Sequence, residues 1–214
     1  MNKTKKKIIL ASISLFNELG LMNVRNQDIA KEAGMSLSNF NYHFKTKQDL
    51  VHAVIDYMKE VLQEKVYGNK ILITEGKGLE ITKSYFEFEE EFRFFYLDTY
   101  NIIQSYPEIK KDLRQQIQEA IQVIKNLNYL AVGMGHLKPE PEDMPGLYDH
   151  LAEQVWINNH FWFTQMHIRG EEEDIVMKGL KACVAISYPY LTEEGKKVFY
   201  GFIDRAQKER DEAS

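Results

Sequence analysis

The sequence predicts an all-α protein, on three observations. Prolines are few, five in 214 residues, and three of them (Pro139, Pro141, Pro145) fall in one loop. Long stretches without turn signals carry apolar residues at helical spacing. No pair of alternating segments reads as a hairpin: residues 66–74 contain β-forming side chains, but no alternating partner follows them. The expected organisation is a small three-helix N-terminal domain over residues 1–50, linked through a helix at 47–67 to a larger helical domain over 51–214, with the glycine-bearing segment 68–78 as the junction.

The first helix is expected at about residues 5–19. Ile9, Ile13 and Phe16 fall at i, i+4, i+7, Ile8, Leu15 and Leu19 widen the stripe, and Gly20 stops it. A short second helix covers about 26–33, with Ile29, Ala30 and Ala33 inward and Gly34 at its end. Ser36 is the N-cap of a third, whose buried face is Phe40 and Phe44. Thr46-Lys47-Gln48-Asp49 reads as a capping box for a fourth, with Leu50, Val54, Tyr57, Met58, Val61 and Leu62 inward. Five or so long helices follow, at about 79–105, from Pro107 to 129, 146–169, 171–188, and from Thr192 to 210.

Composition narrows the class. Hydrophobic residues at 44% and charged residues at 28% exclude wholesale disorder. No apolar run approaches the ~18 residues of a membrane span. The basic N-terminus is followed by a stretch broken by Ser12, Ser14 and Asn17 and then by Glu18, which is not a signal-peptide core. The single cysteine, Cys183, can form no disulfide within the chain. These features predict a soluble, cytoplasmic protein with no membrane partner. Charge is uneven: residues 1–50 hold eight Lys or Arg against four acids, a net of +4, whereas the whole chain is −5, leaving −9 on the remainder. A basic head on an acidic body fits a DNA-binding module attached to another domain.

Two short helices joined by Gly34-Met35-Ser36 fit a helix-turn-helix. The outer face of the second offers Leu37, Ser38, Asn39, Asn41, Tyr42 and His43, groups suited to base edges and phosphates in a major groove. Lys45 and Lys47 lie just beyond, where they can neutralise phosphates. Each also has a bland reading: Tyr42 could pack on a neighbouring helix, His43 could be a buried structural histidine, and the lysines could be a solvated face.

The run Asp28-Ile29-Ala30-Lys31-Glu32-Ala33-Gly34-Met35-Ser36, followed by Asn39-Phe40-Asn41-Tyr42-His43-Phe44-Lys45-Thr46-Lys47-Gln48-Asp49-Leu50, resembles the DNA-binding domain of TetR-family transcriptional regulators, and the resemblance covers about residues 5–60. It implies that Ser36, Leu37, Ser38 and Asn39 face the major groove, that Asn41, Tyr42 and His43 contact the backbone, and that Lys47 contacts phosphate. Arg25 and Asn26, where the second helix begins, join the DNA-binding set. Arg25 stands where the family often has a hydroxyl N-cap, so Asn26 is expected to cap instead. Ser38 stands in place of a common glycine and Asn41 of a common tyrosine, departures that bear on the operator sequence. The family's helical C-terminal domain implies a homodimer that binds a two-fold symmetric double-stranded DNA operator, with a small-molecule effector.

Aromatic residues are dense at 85–106 and again at 156–163. Such stripes usually form core, but a ligand cavity is lined by the same residue types. Phe88, Phe92, Phe95, Tyr96, Tyr100, Asn159 and Trp162 are therefore the candidate ligand-binding residues, and the effector is expected to be apolar or aromatic. The segment at 146–169 is apolar on more than one side and is expected to be buried on both. The TetR resemblance, which implies a dimer built by two late helices of each subunit, places the interface on about 146–169 and 171–188. The function expected is a DNA-binding regulator, a repressor released by ligand. A helical carrier of hydrophobic ligands and a small helical enzyme are the alternatives. No His-Glu-x-x-His, Gly-x-Ser-x-Gly or phosphate-binding glycine loop is present, so no catalytic residue, metal site or cofactor is expected. The run Glu89-Glu90-Glu91 reads as a solvated face.

Overall fold

The computed structural model describes residues 2–68 and 77–213. Ten α-helices account for most of them: α1 (Lys3–Leu19), α2 (Asn26–Glu32), α3 (Leu37–His43), α4 (Lys47–Leu62), α5 (Lys77–Glu91), α6 (Arg93–Ser105), α7 (Ile109–Gly133), α8 (Leu147–Arg169), α9 (Ile175–Ser187) and α10 (Glu193–Ala213). Among the described residues the only β-pairing is one antiparallel bridge between Leu137 and Leu191. Most of the expected junction, residues 69–76, lies outside the described residues, as does much of the β-forming run 66–74.

The chain divides into two compact units. The first comprises residues 1–68 and 88–113; the second comprises 69–87 and 114–214. In the first, α1 buries Ile8, Ile9, Ser12, Ile13 and Phe16 along one face. Gly20, at φ 79°, ends it, its N–H donating to the Phe16 carbonyl at 2.9 Å. The left-handed turn there excludes most side chains. Ser36 accepts from the Asn39 N–H at 3.2 Å and so starts α3. Thr46 and Asp49 close a reciprocal capping box at the start of α4, each bond 3.0 Å. At α2 the expected cap is corrected. Asn26 is the first helical residue, and Arg25 is the N-cap, its N–H held by the Asp28 carboxylate at 3.1 Å. The acid at the third helical position thus holds the cap residue's N–H, the reciprocal half of a capping box, while its own N–H returns to the Arg25 carbonyl at 3.0 Å.

The helix expected over 79–105 is two helices. Phe92, at φ −114° and ψ 33°, interrupts it. The cause is tertiary. Asn17 of α1 donates its side-chain N–H to the Glu91 carbonyl at 2.8 Å and accepts from the Phe94 N–H at 3.0 Å. One amide thus satisfies a carbonyl at the end of α5 and an N–H at the start of α6, the groups a helix break leaves unpaired. Phe92 itself is wholly buried and meets Tyr57 of α4 edge-on at 6.3 Å. On its other side α4 is tied to the start of α7: Gln48 and His52 both reach Glu108, and Lys59 pairs with Asp112 at 2.6 Å.

The acidic run in α5 departs from expectation at one residue. Glu90 is exposed and Glu91 pairs with Lys65 at 2.6 Å, but Glu89 is completely buried. Neither of its carboxylate oxygens has a hydrogen-bond partner among the described residues. It belongs to the inward face of α5 because that face continues through Phe88 and Phe92, both buried.

The second unit packs α8 against α9. Gly179 of α9 makes this possible, since a Cβ there would lie 2.6 Å from the Phe86 ring and 2.9 Å from the Trp162 indole nitrogen. Phe86, Val155, Phe163 and Cys183 form one buried cluster; Met177, Leu180, Phe202 and Ala206 form another, which joins α9 to α10. The loop before α8 supplies its cap from a distance: the Glu140 carboxylate accepts from the N–H groups of Gly146 and Tyr148, at 3.0 and 2.8 Å.

Candidate nucleic-acid interface and helical-domain cavity

The geometry of the helix-turn-helix follows from its core. Phe40 is wholly buried and its ring lies 6.1 Å from that of Phe44, which fixes α3 by its inward edge. Gly34, at φ 61°, makes the turn, and the Met35 N–H returns to the Ala30 carbonyl at 2.9 Å. The rest of α3 up to Tyr42 faces out. Ser36, Leu37, Ser38, Asn39 and Asn41 are exposed, and Tyr42 is 82% exposed with its ring edge-on to His43. Tyr42 therefore does not pack on a neighbouring helix. His43 is half-buried. Arg25 and Lys45 are exposed and Asn26 is half-buried. The Ser36 hydroxyl is committed to its cap, whereas the Asn39 side chain is left to contact something else.

Lys47 is placed differently from its neighbours. Its ammonium donates to the Val24 carbonyl at 2.7 Å and lies 4.5 Å from the centre of the Phe16 ring. Burial lowers its pKa to about 8, although the nearby Asp28 charge acts to raise it. The side chain that the motif suggests for phosphate contact thus ties the start of α4 to α1 and to the segment before α2.

The candidate ligand residues do not gather in one place. Phe88, Phe92, Phe95 and Tyr96 are buried in the first unit, where they pack on one another: Phe88 meets Phe92 at 4.9 Å and Tyr96 at 6.4 Å, and Phe95 meets Tyr96 at 5.6 Å. The aromatic series continues through Phe94 to Phe16 of α1, at 5.3 Å. Tyr100 is 70% exposed. Asn159 and Trp162 lie in the second unit, where Asn159 accepts from the Cys183 thiol and Trp162 donates to the Ile175 carbonyl at 2.9 Å.

The second unit also holds a cavity of about 190 Å³, bounded by the start of α5 and by α7, α8, α9 and α10. Its walls are mostly aliphatic, among them Leu127, Ala131, Val184 and Val198, and none of the seven candidate ligand residues lines it. Aromatic density drew the sequence reading elsewhere, and scattered Leu, Val and Ala carry no comparable signal.

A three-helix head with an exposed polar recognition helix, on a chain that is otherwise helical, defines a helix-turn-helix protein of the two-domain kind. A sequence profile described as "Bacterial regulatory proteins, tetR family" matches residues 8–54, and one described as "TetR: Bacterial transcriptional repressor" matches residues 69–199. The chain belongs to the TetR family of bacterial transcriptional regulators. It is similar to the uncharacterized HTH-type transcriptional regulator YerO of Bacillus subtilis, with 29% identity over 63% of this chain and 49% of that protein. The match thus spans about half of that relative's length. A TetR-family regulator from Marinobacter aquaeolei has a similar structure, at TM-score 0.81 and 25% identity over 93% of this chain and 97% of that one. The fold is shared with a transcriptional regulator from Saccharomonospora viridis solved with choline, at TM-score 0.70 and 17% identity over 90% of this chain and 100% of that one.

Proposed function

We propose that the protein is a cytoplasmic repressor that binds a two-fold symmetric operator as a homodimer and is released by a small, largely apolar effector. The observation that carries the DNA-binding reading is α3: a short helix anchored by one buried phenylalanine, with every other residue from Ser36 to Tyr42 exposed. Leu37, Ser38 and Asn39 are assigned to base edges, Asn41, Tyr42 and Lys45 to phosphates, and Arg25, Asn26 and His43 to the flanking backbone. Lys47 is assigned a positioning role, because its ammonium is turned onto Val24 and Phe16.

Dimerisation is supported by α8. This helix buries Val155, Phe163 and Met166, yet it leaves Ile157, Phe161 and Ile168 51%, 54% and 71% exposed. Those three recur at i, i+4 and i+11, within about 40° of one another on the helix surface. A stripe of that kind on an otherwise packed helix supports an interface there, and a dimer supplies the two recognition helices that a two-fold symmetric operator calls for. Two experiments test the reading. Fluorescence anisotropy against genomic fragments selected by the purified protein should show salt-dependent binding with a preference for inverted repeats; equal affinity for unrelated DNA refutes it. Sedimentation of Phe161→Glu should give monomer at concentrations where the wild type is a dimer; an unchanged dimer moves the interface elsewhere.

A further inference from the structure

The cavity in the second unit differs in kind from a packing defect. It is closed at one end by tight backbone contacts. Gly195 of α10 approaches the loop after α7 so closely that a Cβ there would lie 2.0 Å from the His136 carbonyl oxygen. Thr192 donates its hydroxyl to the Gly135 carbonyl at 2.6 Å, and the Lys138 N–H donates to the Tyr190 carbonyl at 2.9 Å. His136, Leu137, Leu191 and Gly195 all line the cavity, so these bonds form a stiff wall. The space is built in.

Its chemistry is narrow. No Lys, Arg, Asp or Glu lines it. The polar groups that do are largely engaged: Thr82 donates to the Gly78 carbonyl at 2.9 Å, Asn128 donates to the Tyr148 carbonyl at 3.1 Å, and the Cys183 thiol donates to Asn159. The Ser187 hydroxyl has no partner among the described residues. A charged ligand would lose its hydration, with no acid to meet a cation and only the His136 imidazole to meet an anion. A neutral apolar ligand would lose only water contacts, and Ser187 could hold one polar substituent.

Size narrows it further. An aliphatic cavity of about 150 Å³ stays dry and accepts benzene, and a water occupies about 30 Å³ of the liquid. At about 190 Å³ the cavity holds one ring plus roughly one group of that size. We propose that it is a binding site for a neutral single-ring aromatic molecule carrying a methyl group, a hydroxyl or both, in the manner of toluene or p-cresol, with Ser187 facing a ring hydroxyl when there is one. This deepens the effector reading above and rests on it only for the consequence of binding.

The test uses the full-length protein and isothermal titration with toluene, p-cresol, 2-naphthol, benzoate and choline. Toluene and p-cresol should bind one per chain and compete with each other. 2-Naphthol should bind more weakly, and benzoate and choline should give no saturable heat. Ser187→Ala should weaken p-cresol by about fivefold, the value of one neutral hydrogen bond, and leave toluene unchanged. Ala131→Leu and Val184→Phe reduce the space, and whichever of them keeps wild-type helicity and melting temperature should lose about tenfold or more for both ligands. Failure of the two neutral ligands to bind saturably overturns the proposal, as does equal binding of benzoate or choline. Full affinity in a folded, space-filled variant overturns it too. Operator release by p-cresol is read separately. Binding without release leaves the site standing and refutes the effector reading alone.

Discussion

Glu89 allows a quantitative prediction. Its carboxyl is completely buried without a partner among the described residues, and burial alone pushes its pKa well above the ordinary carboxylate value of 4.5. In the unfolded chain the group titrates near that value; in the folded chain it holds its proton to higher pH. Below pH 4.5 both states are protonated and the group contributes nothing to the pH dependence. Above it the unfolded state releases a proton that the folded state keeps, so folding stability falls as pH rises until the folded-state pKa is reached. The slope is up to about 1.4 kcal/mol per pH unit for one proton. Glu89→Gln keeps the shape and removes the titration. Urea unfolding of both proteins at pH 5, 6 and 7, at one fixed protomer concentration because a dimer's stability depends on it, should show the variant gaining on the wild type by up to about 2–3 kcal/mol across the two units. Glu89→Leu should show the same pH trend. Parallel curves for wild type and Glu89→Gln, or a wild type that gains with rising pH, would mean that the carboxylate is paired in solution and that the desolvation argument fails.

Three further outcomes are expected. Lys47→Met should leave the salt slope of DNA binding unchanged and should remove the rise in stability that the wild type shows from about pH 8 to 10.5, where the unfolded lysine keeps a proton the folded one has lost; a fall of about one unit in the salt slope would restore Lys47 as a phosphate contact. Lys45→Ala should weaken binding to all sequences and lower that slope by about one, while Asn39→Ala should change sequence preference at a fixed slope; identical effects of the two on every site would contradict the division between base and phosphate contacts. Asn17→Leu should cost roughly 1–3 kcal/mol in chemical unfolding, since it strips partners from two backbone groups at a helix break, and a neutral result would show that water replaces it.

Much of the fold was legible where local chemistry decides it. Ser36, Thr46 and Thr192 cap the helices expected of them, and Gly20 and Gly34 end them, because caps depend on residues within one turn. The break at Phe92 was not legible, since phenylalanine is no helix breaker and the stabilising amide comes from Asn17, 74 and 77 residues away from the two groups it binds. Glu89 was misread for a similar reason: a run of three glutamates has the composition of a wet surface, and only the helical phase set by Phe88 and Phe92 turns one of them inward. In the DNA-binding head the outward set was visible as the polar face of one short helix. Lys47 was not distinguishable from Lys45 by sequence, because what separates them is the carbonyl of Val24 and the ring of Phe16.

The pair of hydrogen bonds that Asn17 makes to the Glu91 carbonyl and the Phe94 N–H bears on how portable the head is. Chimaeras that graft one regulator's reading head onto another's sensing domain are naturally cut where the recognisable motif stops, near residue 54. A graft of residues 1–54 from this protein would arrive with Asn17 facing a foreign helix junction and with Phe16 missing the ring of Phe94. Its compact unit includes residues 88–113, so the transferable piece is discontinuous in the chain. A working transplant has to carry both stretches, or to supply at the acceptor's own junction a carbonyl and an N–H that Asn17 can reach.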